Sequence, residues 1–369
     1  MKNAIFPLIR LGLDNSLLED VNLSNYIMMS NSHWSELGNL ARKQGVLGIV
    51  LDGIDKLETT RYGLTRDLNA AQKLEWIGEV LRIEQRNRQQ MAVMEEMAGK
   101  WSEKDCRVMV MKGQANALFY PNPLHRNPGD IDCYLFNDNL NFDLAYRIGN
   151  EVAREVGAKV DESWYKHSVI SYKGETFENH LYFVHTREGR RSKELQRELS
   201  EALRVEKWDR FPNSQVLLPP VQWNAMFLTY HACTHFLTEG LRLKQVLDWA
   251  MFLKKHQNDV DWKAFYTFCE RYHLKIFADV MTSICCEHLG ISITNPLIET
   301  KSTFTEKMVK SILYDDDFIY SENEGGWKEK WHVVRNLFRY RWKYEEIYEE
   351  CILKQLWYYA SGYILKTEK

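Results

Sequence analysis

The most informative stretch of the sequence is Val108 to Phe136, VMVMKGQANALFYPNPLHRNPGDIDCYLF. RVMVM (Arg107 to Met111) is a short apolar run, GQANALFY has helical character, and IDCYLF (Ile131 to Phe136) is a second apolar run after a loop containing Pro121, Pro123 and Pro128. Strand, short helix, loop and strand is an α/β pattern. In a strand, residues two apart share a face, so Asp130 and Asp132 project together while Ile131, Cys133 and Leu135 point the other way to pack on helices. Two carboxylates on one face repel, and a cation between them keeps both ionised; hard oxygen ligands on a rigid strand suit Mg2+ or Mn2+. The simpler reading is a solvated turn before a strand, since Asn127, Pro128 and Gly129 are turn residues.

After this stretch, Asn139 to Val156 reads as a helix, followed by two β-rich runs, SVISY (Ser168 to Tyr172) and TFENHLYFV (Thr176 to Val184). Lys173 and Gly174 lie at the turn between them, which predicts a hairpin. On the N-terminal side, Leu17 to about Lys104 carries a helical period, ending in a long helix within Asp67 to Lys104 whose apolar residues include Leu74, Ile77, Val80, Leu81, Ile83, Met91, Met94 and Met97. On the C-terminal side, a charged helical stretch runs to Trp208, Pro219 and Pro220 mark a break, and further helices follow. The expected class is α+β: a small mixed β-sheet core flanked by N-terminal and C-terminal helical regions. The expected divisions are residues 1–104, 105–210 and 211–369.

Composition bounds the rest. A chain of 369 residues with 45% hydrophobic residues, twelve Trp, nineteen Tyr and sixteen Phe can bury large cores, which excludes a disordered chain. A formal net charge of -3 supplies no field that would by itself draw nucleic acid or a membrane. Seven cysteines without a CxxC pair read as reduced, buried thiols. The N-terminus MKNAIFPLIRLGL is interrupted by Pro7 and Arg10, unlike a secretory signal, and no apolar run approaches the ~20 residues of a membrane span. A cytoplasmic protein with no membrane partner is expected.

The order strand, glycine, short helix, proline-rich loop and acid pair resembles that of the polymerase-β-like nucleotidyltransferases. Lys112, Gly113, Tyr120, Pro121, Arg126, Asp130 and Asp132 in MKGQANALFYPNPLHRNPGDIDCYLF resemble, more narrowly, an uncharacterised nucleotidyltransferase family within them. Glu178 and His180 in FENHLYF match that family's later acidic residue and histidine, which implies Glu178 as a third metal-binding carboxylate; Glu175, Asp161 and Glu162 compete for the role. The resemblance implies transfer of a nucleoside monophosphate from a nucleoside triphosphate to an acceptor hydroxyl, with Mg2+ or Mn2+ on Asp130, Asp132 and Glu178. Such ions neutralise the triphosphate, hold the attacking hydroxyl and stabilise the leaving pyrophosphate. Lys112, Gly113, Gln114, Arg126 and His180 are the expected substrate-binding residues. The loop departs from the wider superfamily, which has Gly-Ser or Gly-Gly where this chain has Lys112, Gly113 and Gln114. A catalytically silent nucleotide-binding or interaction module is therefore the rival expectation. The acceptor is open among small molecule, RNA and protein.

Three other features have plainer readings. His231 and His235 are four apart, a spacing that can hold zinc, but without the HExxH acid they read as helix packing. The resemblance also lets His235, Arg242 and Asp248 line an acceptor cleft. Trp327 to Tyr348 interleaves aromatics with Lys and Arg, which can bind RNA and more often forms an amphipathic helix. EGRRSKELQRELSEALR is mixed in sign and reads as a solvated helix.

Overall fold

In the computed structural model, described for residues 1–13, 26, 29–60, 68–137, 139, 141–186, 189–205, 208–315 and 335–354, the protein is 63% helical with one five-stranded mixed sheet, which is the α+β class expected. The chain divides into two compact units. The first holds Met1–His185, Gln196–Trp223 and His288–Gly290; the second holds Thr186–Leu195, Asn224–Glu287 and Ile291–Lys369.

The first unit begins with α1 (Lys2–Leu13), α2 (Asn31–Lys43), α3 (Leu47–Thr60) and the 33-residue α4 (Ala70–Ser102). Ser30 starts α2 by accepting the His33 amide, and Asn69 starts α4 by accepting the Ala71 amide, each satisfying an otherwise unpaired donor of the first turn. The helix α1 lies against α3 through two glycines. A Cβ on Gly53 would fall 2.1 Å from the Leu8 carbonyl oxygen, and one on Gly12 the same distance from that of Ile49.

The sheet follows as β1 (Arg107–Val110), α5 (Gly113–Ala117), β2 (Ile131–Phe136), α6 (Phe142–Glu155), β3 (Lys159–Asp161), β4 (His167–Tyr172) and β5 (Glu175–His180). Its order is β1-β2-β5-β4-β3, with β2 and β5 parallel and the other pairs antiparallel. Alternation sorts the side chains between the two faces. Val108, Val110, Ile131, Cys133, Leu135, Ile170 and Phe177 join one core with Val93, Met94, Met97 and Trp101 of α4 and Ala145, Val152 and Ala153 of α6. Leu74 and Leu81 of α4 stay exposed, so only part of that helix's apolar residues faces the core. Between β4 and β5, Lys173 (φ 48) and Gly174 (φ 82) both take the left-handed conformation that a two-residue hairpin turn requires. Lys173 is held there by its ammonium on Glu96 (2.6 Å) and by Gln89 donating to its carbonyl (3.2 Å).

The helix α6 starts at Phe142 rather than Asn139, because the Asn141 side chain accepts the Leu144 amide and closes the first turn there. The strand β5 stops at His180 rather than Val184, because the Leu181 and Tyr182 amides both turn onto the Lys166 carbonyl.

The loop between α5 and β2 is fastened from below. Asn87 donates to the carbonyls of Leu124 (2.7 Å) and Arg126 (2.9 Å), and Gln90 to that of Gly129 (2.7 Å). The His125 ring sits between Asp52 of α3 (Nδ1 to Oδ2, 2.8 Å) and Glu84 of α4 (Nε2 to Oε1, 2.9 Å). Burial alone would lower the His125 pKa, but hydrogen bonds and charges from Asp52 and then Glu84 raise it above its ordinary 6.5. A raised histidine pKa gives stability that is complete below about pH 6.5 and fades as pH rises through the elevated value. Denaturant titrations from pH 6 to 9 should show stability falling with pH, and His125→Gln should flatten that slope; an unchanged slope in the variant would assign it to other groups.

Beyond the sheet come α7 (Arg190–Val205), α8 (Val221–Thr238), α9 (Leu243–His256), α10 (Trp262–Arg271), α11 (Lys275–Leu289) and α12 (Thr305–Tyr314). Of these, α9, α10, α12 and most of α8 and α11 belong to the second unit, and most of α7 to the first. On α7, Leu195, Leu199 and Leu203 are buried while Arg190 pairs with Glu194 and Arg197 with Glu201, so the mixed-sign stretch is an amphipathic helix. Residues 327–334 of the aromatic and basic stretch lie outside the described residues. Of the remainder, Leu337, Tyr340, Tyr344 and Ile347 are buried, and Lys343 lies 4.7 Å from the ring centroids of both Phe236 and Tyr340. Burial lowers the Lys343 pKa to about 8. Cys106, Cys133, Cys233, Cys269, Cys285, Cys286 and Cys351 are all free thiols. Among the described residues, no helix is long and apolar enough to cross a membrane.

Candidate active site

The face of the sheet turned away from the α4–α6 core gathers acids, histidines and one lysine. Asp132 stands directly beside Glu178 in the parallel β2–β5 pair, and His167 stands opposite His180 in the β4–β5 hairpin. Asp130 immediately precedes β2, is exposed, and lies near enough to Glu178 and Asp132 to feel both charges. Asp132 itself is 8% exposed, and its Oδ1 is contacted by Lys112 Nζ (2.6 Å) and His180 Nε2 (3.0 Å). The same His180 nitrogen lies 3.3 Å from Glu178 Oε2, and His167 Nε2 is 3.6 Å from Glu178 Oε1.

Electrostatics separates the three acids. Burial would raise the Asp132 pKa, but the Lys112 ammonium and the His180 hydrogen bond outweigh it and hold the carboxyl well below its usual range. For Glu178 burial again works upward, the His180 hydrogen bond works downward, and the carboxyl ends below its ordinary value. Asp130 goes the other way: partial desolvation, then the charges of Glu178 and Asp132, raise it. Asp130 therefore feels both other carboxylates, which is the mutual repulsion a divalent cation relieves. Burial brings the His167 pKa down to about 4 despite Glu178, so that ring is neutral at physiological pH.

Lys112 reaches Asp132 from an unusual backbone. At φ 54, ψ -124 it is the hinge between β1 and α5, a conformation that costs a side-chain-bearing residue about 1–3 kcal/mol. The Met111 amide, donating to the Asp132 carbonyl (2.9 Å), ties the end of β1 to β2 just before this hinge. The strain turns the chain into α5 while its side chain stays over the acids.

Of the other residues expected at the site, Arg126 is buried, and its Nη1 lies 3.7 Å from where a Cβ on Gly113 would stand, beside the Asp130 carbonyl oxygen at 3.8 Å. Gln114 is buried with its Nε2 on Gln90 Oε1 (2.7 Å), and Gln90 in turn donates to Glu175 (2.8 Å). The competing acids are engaged elsewhere. Glu175 is buried on the α4 side, Glu162 accepts from Asn150 (2.7 Å) and pairs with Arg154, and the Asp161 carboxylate accepts the Ser163 amide (2.8 Å). Glu178 is the acid the sheet register sets next to Asp132.

His235, Arg242 and Asp248 belong to the second unit. His235 Nε2 meets His231 Nε2 at 3.1 Å, its Nδ1 meets Glu239 at 3.0 Å, and Asp248 is buried within α9.

His167 was missed by sequence reasoning, although the hairpin carries the information. A two-residue turn pairing Tyr172 with Glu175 fixes every later pair, and counting outward puts His167 across from His180. His167, Glu178 and His180 each offer a ligand atom within 4.8 Å of one another, an arrangement that can hold a metal ion.

Among known proteins, no curated protein and no solved structure matches the chain. A family model described as an uncharacterised nucleotidyltransferase matches residues 30–290, which spans the sheet, all the acids and histidines above, and most of the chain. With the acid-bearing β2–β5 pair inside that match, the chain belongs to this uncharacterised nucleotidyltransferase family.

Proposed function

We propose that the protein transfers a nucleoside monophosphate from a nucleoside triphosphate to an acceptor hydroxyl, releasing pyrophosphate, with a divalent cation held by Asp130, Asp132 and Glu178. Family membership supports nucleotide transfer in general. The observation that carries the finer reading is the adjacency of Asp132 and Glu178 across β2 and β5, with Asp130 feeling both charges. Oxygen donors from three acids on neighbouring strands fit a hard cation such as Mg2+ or Mn2+. When bound, that ion supplies charge neutralisation for the triphosphate and the leaving pyrophosphate.

The chain's own residues do the remaining work. Lys112, at the β1–α5 hinge, and Arg126, in the loop before β2, are the cations we assign to the phosphate oxygens. Glu178, whose carboxyl is held below its ordinary pKa, is the residue we assign to assist deprotonation of the acceptor hydroxyl. The hydrogen bonds from Asn87 and Gln90 to the carbonyls of Arg126 and Gly129 fasten the loop that carries Arg126 and Asp130, which favours a fixed geometry for both.

Lys112→Met should weaken triphosphate binding about 10- to 100-fold, the range of one charge-assisted hydrogen bond of ~1.5–3 kcal/mol. Calorimetry with a non-hydrolysable triphosphate measures it, and unchanged affinity would remove Lys112 from the phosphate site. The activity is tested by incubating the protein with labelled triphosphates, Mg2+ or Mn2+ and fractionated cell extract, following label transfer and pyrophosphate. Labelled acceptor with pyrophosphate release supports the reading. Tight triphosphate binding with no release in any fraction supports a silent nucleotide-binding module instead, a reading favoured by the occupation of Asp132 by both Lys112 and His180.

A further inference from the structure

We infer that His167 and His180 are nitrogen ligands to the cation at this site, so that it takes a first-row transition ion of the manganese-to-zinc class in preference to magnesium. This rests on the proposed reading that Asp132 and Glu178 hold a cation, and concerns its identity. Carboxylate-only sites bind Mg2+ through oxygen and retain its waters; imidazole nitrogen is a poor ligand for Mg2+ and a good one for borderline transition ions.

Four observations bring the histidines into the coordination sphere. His167, Glu178 and His180 present ligand atoms all within 4.8 Å of one another, a spread that one ion can span. His180 Nε2 sits between Asp132 Oδ1 at 3.0 Å and Glu178 Oε2 at 3.3 Å, directed at both acids. His167 closes the opposite side of Glu178, its Nε2 3.6 Å from Oε1, too long for a hydrogen bond. Its Nδ1 is buried without a hydrogen-bond partner among the described residues, so the ring is held in place by packing, including a ring contact at 5.0 Å with His180, while its polar atoms are under-used. The hairpin register makes the arrangement a built one, since His167 and His180 are cross-strand partners with Glu178 two residues along the same face.

The test uses the full chain stripped with chelator and titrated with Mn2+, with Mg2+ as competitor. Pulsed electron paramagnetic resonance of bound Mn2+ should show imidazole 14N couplings in the wild type, diminished in His167→Gln and in His180→Gln. Affinity for Mn2+ should fall about 10-fold or more in His167→Gln, the usual scale for losing a supporting group at a metal site, with Mg2+ affinity moving less than ~2-fold. Bound Mn2+ without nitrogen couplings in the wild type, a readout that needs no variant to fold, would overturn the inference and leave the carboxylate reading standing. Asp132→Asn separates the two failures. Undiminished Mn2+ affinity in that variant would overturn the carboxylate reading, while the histidine assignment stands or falls on the nitrogen signal alone.

Discussion

Replacing Asp132 by Asn should reduce nucleotide transfer by at least about 10^3-fold, the several kcal/mol that a correctly placed cation contributes to a phosphoryl-type transition state. The substitution keeps the shape and removes one charge from the acid that Glu178 neighbours in register. Folding should survive it. Lys112 loses its closest partner, but Glu178 and Asp130 both remain within its electrostatic reach, so the ammonium is not left as an uncompensated buried charge. Circular dichroism should be unchanged and Tm should move by only a few degrees, about 1 kcal/mol. Turnover retained within tenfold of wild type would remove Asp132 from the chemistry, whatever the fate of the fold.

Gly53→Ala should do the reverse, leaving the site's residues in place and weakening the scaffold. A Cβ there would meet the Leu8 carbonyl oxygen at 2.1 Å and the Leu8 carbonyl carbon at 2.8 Å, and backbone atoms of a helix cannot swing aside as a side chain can. The helices α1 and α3 must separate, and the matching contact of Gly12 on Ile49 is opened with them. The expected cost is about 3 kcal/mol, at the upper end of overpacking effects, with Tm lower by ~5–10 °C. Gly78→Ala is the control of opposite sign. Its site is open for 4 Å around, within the long α4, so alanine should stabilise by ~0.5–1 kcal/mol through helix propensity. Equal effects at the two glycines would mean that helix propensity, rather than the close approach, governs both.

The parts of this molecule that follow from short-range periodicity were legible in its sequence. The strand IDCYLF coincides with β2, the long helix within Asp67 to Lys104 contains α4, and the Lys173-Gly174 turn sits between β4 and β5. The proximity of Asp132 and Glu178 was expected from a family resemblance, while its physical cause, a parallel pairing of strands 46 residues apart, is a long-range fact that no local pattern encodes. The Lys112 hinge was illegible for a different reason. Nothing in Met-Lys-Gly announces φ 54 on the lysine rather than on the glycine, because the strain is imposed by the tie of Met111 to Asp132 and by the docking of α5. Gln114 was named as a substrate-binding residue, and its Nε2 donates to Gln90, which in turn donates to Glu175, a long-range network that no local pattern encodes. Helix and strand ends moved by a few residues wherever a side-chain cap or a shared carbonyl decided them, as at Asn141 and Lys166.

The two-residue turn at Lys173 and Gly174 also dictates which kinds of genetic change this lineage can absorb. Exchange of either residue for another that tolerates the turn leaves the pairing intact, but a single codon gained or lost there reverses odd and even along β5. Glu178 and His180 would then swap sides with Phe177 and Asn179, delivering a benzyl group to the acids and two ionisable groups to the packed interior. Length variation among descendants of this chain is therefore expected to avoid that one bend and accumulate in connections whose residue count carries no parity.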